Sequence, residues 1–71
     1  MTAMHVVQAN GLRRECYNAA SVAARRAKIV RGAGYSAWVS SIDRENGVAF
    51  VSITKGFHES LAHVPAVEEL E

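Results

Sequence analysis

The chain of 71 residues is poor in the residues from which small proteins build covalent or metal staples. Cys16 is its only cysteine, so an intramolecular disulfide is excluded. With one cysteine and three scattered histidines, a four-ligand zinc site is not predicted either. Since a chain this short buries only a thin core, we expect it to rely on a partner or on further copies of itself.

Long apolar runs are also missing. No stretch approaches the roughly 20 apolar residues that a membrane span needs. The opening residues, MTAMHVVQAN, lack the basic start and apolar segment of a secretory signal. Apolar residues make up 49% of the chain and charged residues 21%, which indicates a folded protein. We therefore expect a single domain over residues 1–71, located in the reducing cytoplasm and without a membrane partner.

Charge of each sign is confined largely to one half of the chain, although the net charge is only +1. Residues 1–35 hold six of the eight basic residues, and Glu15 is their only acid. Residues 36–71 hold the other two basic residues and the remaining six of the seven acids. Such a division indicates either a charged partner or two halves that neutralise each other.

The first half predicts one strand and one long helix. A short β-branched run predicts a strand at about residues 4–9, and Asn10-Gly11 interrupts it. From residue 12 the apolar positions recur with a helical period, which predicts an amphipathic helix at about residues 12–31. The apolar stripe of this helix is mostly alanine, so the helix can pack closely on a sheet; it consists of Leu12, Cys16, Ala19, Ala20, Ala23, Ala27 and Val30.

The second half predicts an antiparallel hairpin at about residues 35–55, because two β-rich runs flank Asn46-Gly47. Its loop is either the three residues 45–47, with Gly47 left-handed, or a two-residue turn. The choice decides which face each side chain occupies. In the three-residue version one face holds Trp38, Ile42, Val48 and Phe50. The other face suits the alanine stripe and holds Tyr35, Ala37, Val39, Ala49, Val51 and Ile53.

Together these elements predict the α+β class: a small β-α-β-β domain with one long amphipathic helix packed on a mainly antiparallel sheet. A short helical or irregular tail is expected over residues 56–71, with a break before Pro65. Trp38 either packs beneath this tail or stays exposed as an interface anchor or stacking platform. Unpaired sheet edges and an exposed Trp38 face both favour association, so we expect a homodimer or a higher oligomer.

The predicted partner-binding residues are Arg14, Arg25, Lys28, Trp38 and Phe50. On a helical wheel the three basic residues lie opposite the alanine stripe. They form either a solvated face or a surface for a polyanion or an acidic protein. A protein partner is favoured over nucleic acid, because the C-terminal half is acidic and the isoelectric point of about 8.0 is low for a nucleic-acid-binding domain.

Residues with catalytic or ligating chemistry do not form a recognisable motif. His58 and His63 are five residues apart, which does not suit two ligands on one helix face. Cys16 falls within the predicted buried stripe, where a thiol is inert. There is no Ser-His-Asp order and no paired carboxylate motif. The sequence therefore predicts a protein that is not an enzyme and holds neither a metal nor a cofactor.

The predicted function is a small non-catalytic binding or inhibitory protein that occupies a macromolecular partner, as phage accessory proteins of the anti-CRISPR kind do. A second interpretation comes from Trp38 near the second predicted strand, the turn at residues 45–47, and Gly56-Phe57 after the third strand. This layout resembles that of dodecins, which implies a self-assembling flavin binder, although the hairpin is shorter here and the tail longer. A weak nucleic-acid-binding module is the third interpretation.

Overall fold

The computed structural model describes residues 3–66. Its elements are β1 (His5–Ala9), β2 (Leu12–Tyr17), α1 (Ala20–Gly32), β3 (Ser36–Asp43) and β4 (Val48–Thr54). The strands form one antiparallel sheet in the order β1-β2-β4-β3, and α1 packs on one of its faces. The predicted α+β class, with one helix on an antiparallel sheet, is confirmed. The element order is β-β-α-β-β, with one strand more than the predicted β-α-β-β.

The largest difference from the sequence prediction lies at residues 12–17, which form β2 and not the first turns of a helix. Asn10 and Gly11 both have positive φ angles, 54° and 78°. Two such residues form the hairpin turn whose twist matches that of the flanking strands. The turn places Ala9 opposite Leu12 and folds β2 back along β1. The helix predicted at 12–31 is therefore wrong in its first part, and α1 begins at Ala20.

The helix packs on the sheet through small residues. Ala23, Ala27 and Val30 are buried in one core cluster with residues of β3 and β4. The C-terminal half of the predicted stripe is thus confirmed, whereas Leu12 and Cys16 belong to β2. Because alanine has no side chain beyond Cβ, it allows the helix axis to lie close to the sheet. The sheet side of this core is formed by Tyr17, Ala37, Ala49, Val51 and Ile53.

Strands β3 and β4 form the predicted hairpin, but with a different loop. Gly47 has a φ of 68°, as predicted for the left-handed position. Asp43 pairs with Val48, so the loop contains four residues and neither predicted loop length is correct. A register shift between Val39 and Ser41 then restores the predicted alternation further along β3. Ile42 lies before this correction, opposite Ala49, so its predicted place on the Trp38 face is wrong.

The segment after β4 closes the helix side of the sheet. Leu61 is buried in the same core cluster, and Val64 packs against that cluster. The ring of Tyr35 stacks on the imidazole of His58 with centroids 4.0 Å apart. This part of the predicted tail therefore does not cover Trp38, which is 45% exposed. Residues 67–71 of the predicted tail lie outside the described residues.

Within residues 3–66, no helix is both long and apolar enough to cross a bilayer.

Candidate functional site

The sheet face opposite α1 is covered by no other element in residues 3–66. It is termed the open face below. Because cross-strand partners point to the same side of a sheet, the register defines its members. They are His5, Val7 and Ala9 on β1; Leu12, Arg14 and Cys16 on β2; Val48, Phe50, Ser52 and Thr54 on β4; and Ser36, Trp38, Ser41 and Asp43 on β3.

One row of the open face carries its most exposed aromatic side chain. The register sets Val7, Arg14, Ser52 and Trp38 side by side across the four strands. Trp38 is 45% exposed and Val7 is 50% exposed, whereas Ser52 between the larger side chains is only 4% exposed. The row is therefore a shallow surface with an indole at one end and a valine at the other.

Arg14 is positioned by an aromatic neighbour. Its guanidinium carbon lies 5.4 Å from the centroid of the Phe50 ring, which is a cation–π distance. A guanidinium held beside an aromatic ring has fewer rotamers to lose when it binds a partner. Arg14 and Phe50 also line a pocket of about 220 Å³, together with His5, Val7 and Cys16.

The centre of the open face is positively charged. Among the residues described, the face holds Arg14 as its only Lys or Arg and Asp43 as its only carboxylate. Asp43 lies at the end of β3, where Oδ2 accepts a hydrogen bond of 2.7 Å from the Asn46 side chain. Its Oδ1 accepts the backbone N–H groups of Glu45 and Asn46, each at 3.1 Å. These hydrogen bonds, above all that from the Asn46 side chain, lower the pKa of Asp43. The Asp43 carboxylate therefore stabilises the β3–β4 turn.

The structure brings together three of the five predicted partner-binding residues. Arg14, Trp38 and Phe50 share the open face. Arg25 and Lys28 are exposed on α1, on the other side of the sheet. The prediction that Arg14 lies on the same helix face as Arg25 is wrong, because Arg14 belongs to β2.

Sequence reasoning missed a charged cluster buried beneath α1. The side chains of Glu15 and Arg26 are both 0% exposed. Arg26 donates from Nε to Oε1 of Glu15 at 2.8 Å and from Nη2 to Oε2 at 3.0 Å. The Tyr17 hydroxyl donates to Oε1 and Arg13 Nε donates to Oε2, each at 2.6 Å. Each carboxylate oxygen thus accepts two hydrogen bonds, which satisfies a charge that has no contact with solvent.

This environment keeps Glu15 ionised. Burial alone opposes ionisation and is the largest single influence, but the hydrogen bonds from Arg26, Tyr17 and Arg13 together outweigh it. The pKa of Glu15 is therefore lowered from its ordinary value. Burial and the hydrogen bond to Glu15 raise the pKa of Tyr17, so its hydroxyl remains a donor. The cluster joins α1 to β2, and its two central charges, Glu15 and Arg26, are inaccessible to a partner.

The lowered pKa predicts acid sensitivity. Unfolded Glu15 takes up a proton near its ordinary pKa, whereas the folded form resists protonation, so its stabilising effect is lost as the pH falls through the folded pKa. We expect the difference in unfolding free energy between wild type and Glu15→Gln to shrink as the pH falls through and below the ordinary Glu pKa of 4.5, by at most about 1.4 kcal/mol per pH unit. Urea titrations at each pH measure it, and a difference independent of pH would contradict the prediction.

No family model matches the chain, and no curated protein or solved structure matches it either. The predicted strand–helix–strand–strand order corresponds to β1, α1, β3 and β4, and β2 is the additional strand. Within residues 3–66, no group of three or more His, Cys, Asp or Glu side chains is arranged to hold a metal ion.

Proposed function

We propose that this chain is a non-catalytic cytoplasmic binding protein that docks a protein partner on its open face. In this proposal, an apolar pocket on the partner receives the Trp38 side chain. A carboxylate of the partner pairs with Arg14. The observation that carries the proposal is the grouping on one sheet face of an exposed Trp38, Phe50 and an Arg14 at cation–π distance from Phe50.

The composition of the open face supports a protein interface. Trp and Arg are the residues most often found at the energetic centres of protein–protein interfaces, where charged residues are otherwise depleted. Here Trp38 and Arg14 share a row, and the residues around them are apolar or small hydroxyl residues. A rigid sheet holds them, which reduces the conformational entropy lost on binding.

The distribution of charge favours a protein over a nucleic acid. Binding along a phosphate backbone uses several basic side chains on one surface. The open face offers Arg14 alone, while Arg25 and Lys28 lie across the sheet on α1. A single arginine matches one carboxylate on a partner better than a run of phosphates.

Inhibition by occlusion is the specific mode we propose for this binding. A chain of 71 residues that binds through one rigid sheet face can block the functional surface of a partner without catalysing a reaction. Accessory proteins of phages, including anti-CRISPR proteins, act in this manner. The proposal therefore predicts that binding lowers the partner's activity in proportion to its occupancy.

Substitution of Trp38 tests the proposal. Trp38→Ala is expected to weaken partner binding by about 2 kcal/mol or more, a loss of roughly 30-fold, because it removes the exposed anchor of the face. The proteins that wild-type and variant chains recover from the host lysate are compared quantitatively. A protein that the variant recovers in smaller amount is then purified, and its affinity for each chain is measured by calorimetry. Lys28→Ala, on the opposite side of the sheet, is the matched control and should bind like wild type.

Two outcomes contradict the proposal. Equal recovery and equal affinity for wild type and Trp38→Ala would show that the open face is not the interface. Binding of a labelled single-stranded oligonucleotide with a steep dependence on salt, lost in Arg14→Ala, would replace the protein partner by a nucleic acid.

A further inference from the structure

The two edges of the sheet are formed by β1 and β3. β1 pairs with β2 along one side only. Along its other side, alternate backbone N–H and C=O groups have no strand partner among residues 3–66. An unpaired edge of this kind is a template for a strand of another chain unless something protects it.

Within residues 3–66, the β3 edge is protected and the β1 edge is not. β3 is interrupted by the irregularity between Val39 and Ser41. The Arg31 side chain, reaching over from α1, donates from Nη1 to the Ala37 carbonyl at 2.8 Å. Strand β1 has a regular register over all five residues and carries no proline, lysine, arginine or carboxylate. It therefore lacks the features by which edge strands normally prevent pairing.

The turn at residues 10 and 11 determines which groups of β1 face outward. A two-residue turn is closed by a hydrogen-bonded pair, here Ala9 with Leu12, and hydrogen-bonded pairs then alternate along the ladder. The N–H and C=O groups of Ala9, Val7 and His5 thus point towards β2. Those of Val6 and Gln8 point to the open edge.

This edge is complementary to itself. When a second β1 lies antiparallel about a two-fold axis through Val7, Val6 of one copy faces Gln8 of the other. The outward N–H and C=O groups of these two residues then form hydrogen-bonded pairs, and Val7 faces its own copy. His5 faces Ala9, so no two like charges meet across the pair. All five residues of β1 are exposed and available for this contact.

We infer that two copies of this chain pair through β1 and form a dimer with one continuous sheet. The two four-stranded sheets join edge to edge, with both helices on one side and both open faces on the other. This inference does not rest on the proposed function, because it is argued from the backbone groups of the sheet edge and not from Trp38 or Arg14.

Sedimentation analysis of a concentration series tests the dimer. Wild type is expected to show a monomer–dimer equilibrium. Val6→Pro removes an outward N–H from an edge position where proline is otherwise tolerated, and should weaken dimerisation by about tenfold or more. Trp38→Ala, on the open face, should leave it unchanged. A wild type that remains monomeric at every concentration, or a dimer that Trp38→Ala breaks and Val6→Pro does not, would overturn the inference.

Disulfide trapping tests the register without relying on Val6→Pro. In a Cys16→Ser background, Val7→Cys should form a covalent dimer on mild oxidation, because Cα atoms of a facing non-hydrogen-bonded pair are about 4.5 Å apart. Gln8→Cys is the matched control, since its two copies would be diagonal neighbours at about 7–8 Å, beyond the usual range of a disulfide. Equal trapping of both variants, or of neither, would overturn the inference.

Discussion

Arg26→Met is expected to lower the free energy of unfolding by about 3–5 kcal/mol, since it leaves the Glu15 carboxylate buried without its main partner. Small domains have total stabilities of about 5–15 kcal/mol, and a short chain lies towards the low end. If the total is about 5 kcal/mol, the variant should retain only about 0–2 kcal/mol, and a substantial unfolded fraction should be present. Circular dichroism during urea and thermal denaturation measures the effect.

Two further variants separate charge pairing from packing. Lys28→Met makes the same kind of substitution at an exposed position of α1, and should change stability by no more than about 0.5 kcal/mol. Glu15→Met combined with Arg26→Met removes both buried charges, so it should cost much less than the sum of the single changes. Additive losses in the double variant would show that the two residues do not act as a pair.

Gly56→Ala is expected to lower the free energy of unfolding by about 1–3 kcal/mol through steric overlap, in addition to the strain that any non-glycine residue meets at a positive φ. Gly56 has a φ of 55°, and a Cβ there would lie 2.7 Å from the Gly34 carbonyl oxygen and 2.8 Å from the Ser36 nitrogen. Both obstacles are backbone atoms, so no side chain can rotate out of the way. The change would push the segment after β4 away from the loop between α1 and β3, where Phe57 N–H donates to the Gly34 carbonyl at 3.1 Å.

Gly47→Ala provides the matched control for this prediction. Gly47 has a similar φ of 68°, but a Cβ there would meet nothing within 4 Å. Its substitution therefore reports the cost of the backbone conformation alone. Urea denaturation of both variants gives the difference, and equal losses would show that the close approach at Gly56 has no energetic consequence.

The missed strand β2 shows where reasoning from hydrophobic periodicity fails. The inward-facing residues of β2 are Arg13, Glu15 and Tyr17, of which two are charged. A pattern analysis counts charged residues as exposed, so the alternation of a half-buried strand was invisible. Asn10-Gly11 was a hairpin signal, because Asn and Gly suit the positive φ angles of a two-residue turn.

The same limit explains Arg26. It lies three residues after the buried Ala23 and is itself fully buried, because Glu15 on another element neutralises it. Sequence spacing cannot reveal this pairing when the residue carrying the partner is assigned to the wrong element. The C-terminal half of the helix and the hairpin were predictable, since Ala23, Ala27 and Val30 follow the helical period and β4 alternates.

The face assignments in the hairpin were right near Trp38 for a reason that sequence alone cannot show. The loop has one residue more than the predicted three-residue version, which would invert every face along β3. The irregularity between Val39 and Ser41 inverts them again. Trp38 therefore reaches the predicted face, while Ile42, between the two changes, does not.

The position of β4 in the sheet has a consequence for the order of assembly. β4 lies between β2 and β3, yet it is the last strand in the chain. As the polypeptide is synthesised, β1 and β2 can pair locally, but β3 has no neighbour until residues 48–54 appear. Burial of Glu15 and Arg26 also awaits that strand, because the sheet beneath α1 is incomplete without it. We therefore expect the sheet to form cooperatively, and only after β4 has been synthesised. The pairing of β2 with β4, which are separated by about 30 residues, should limit the rate.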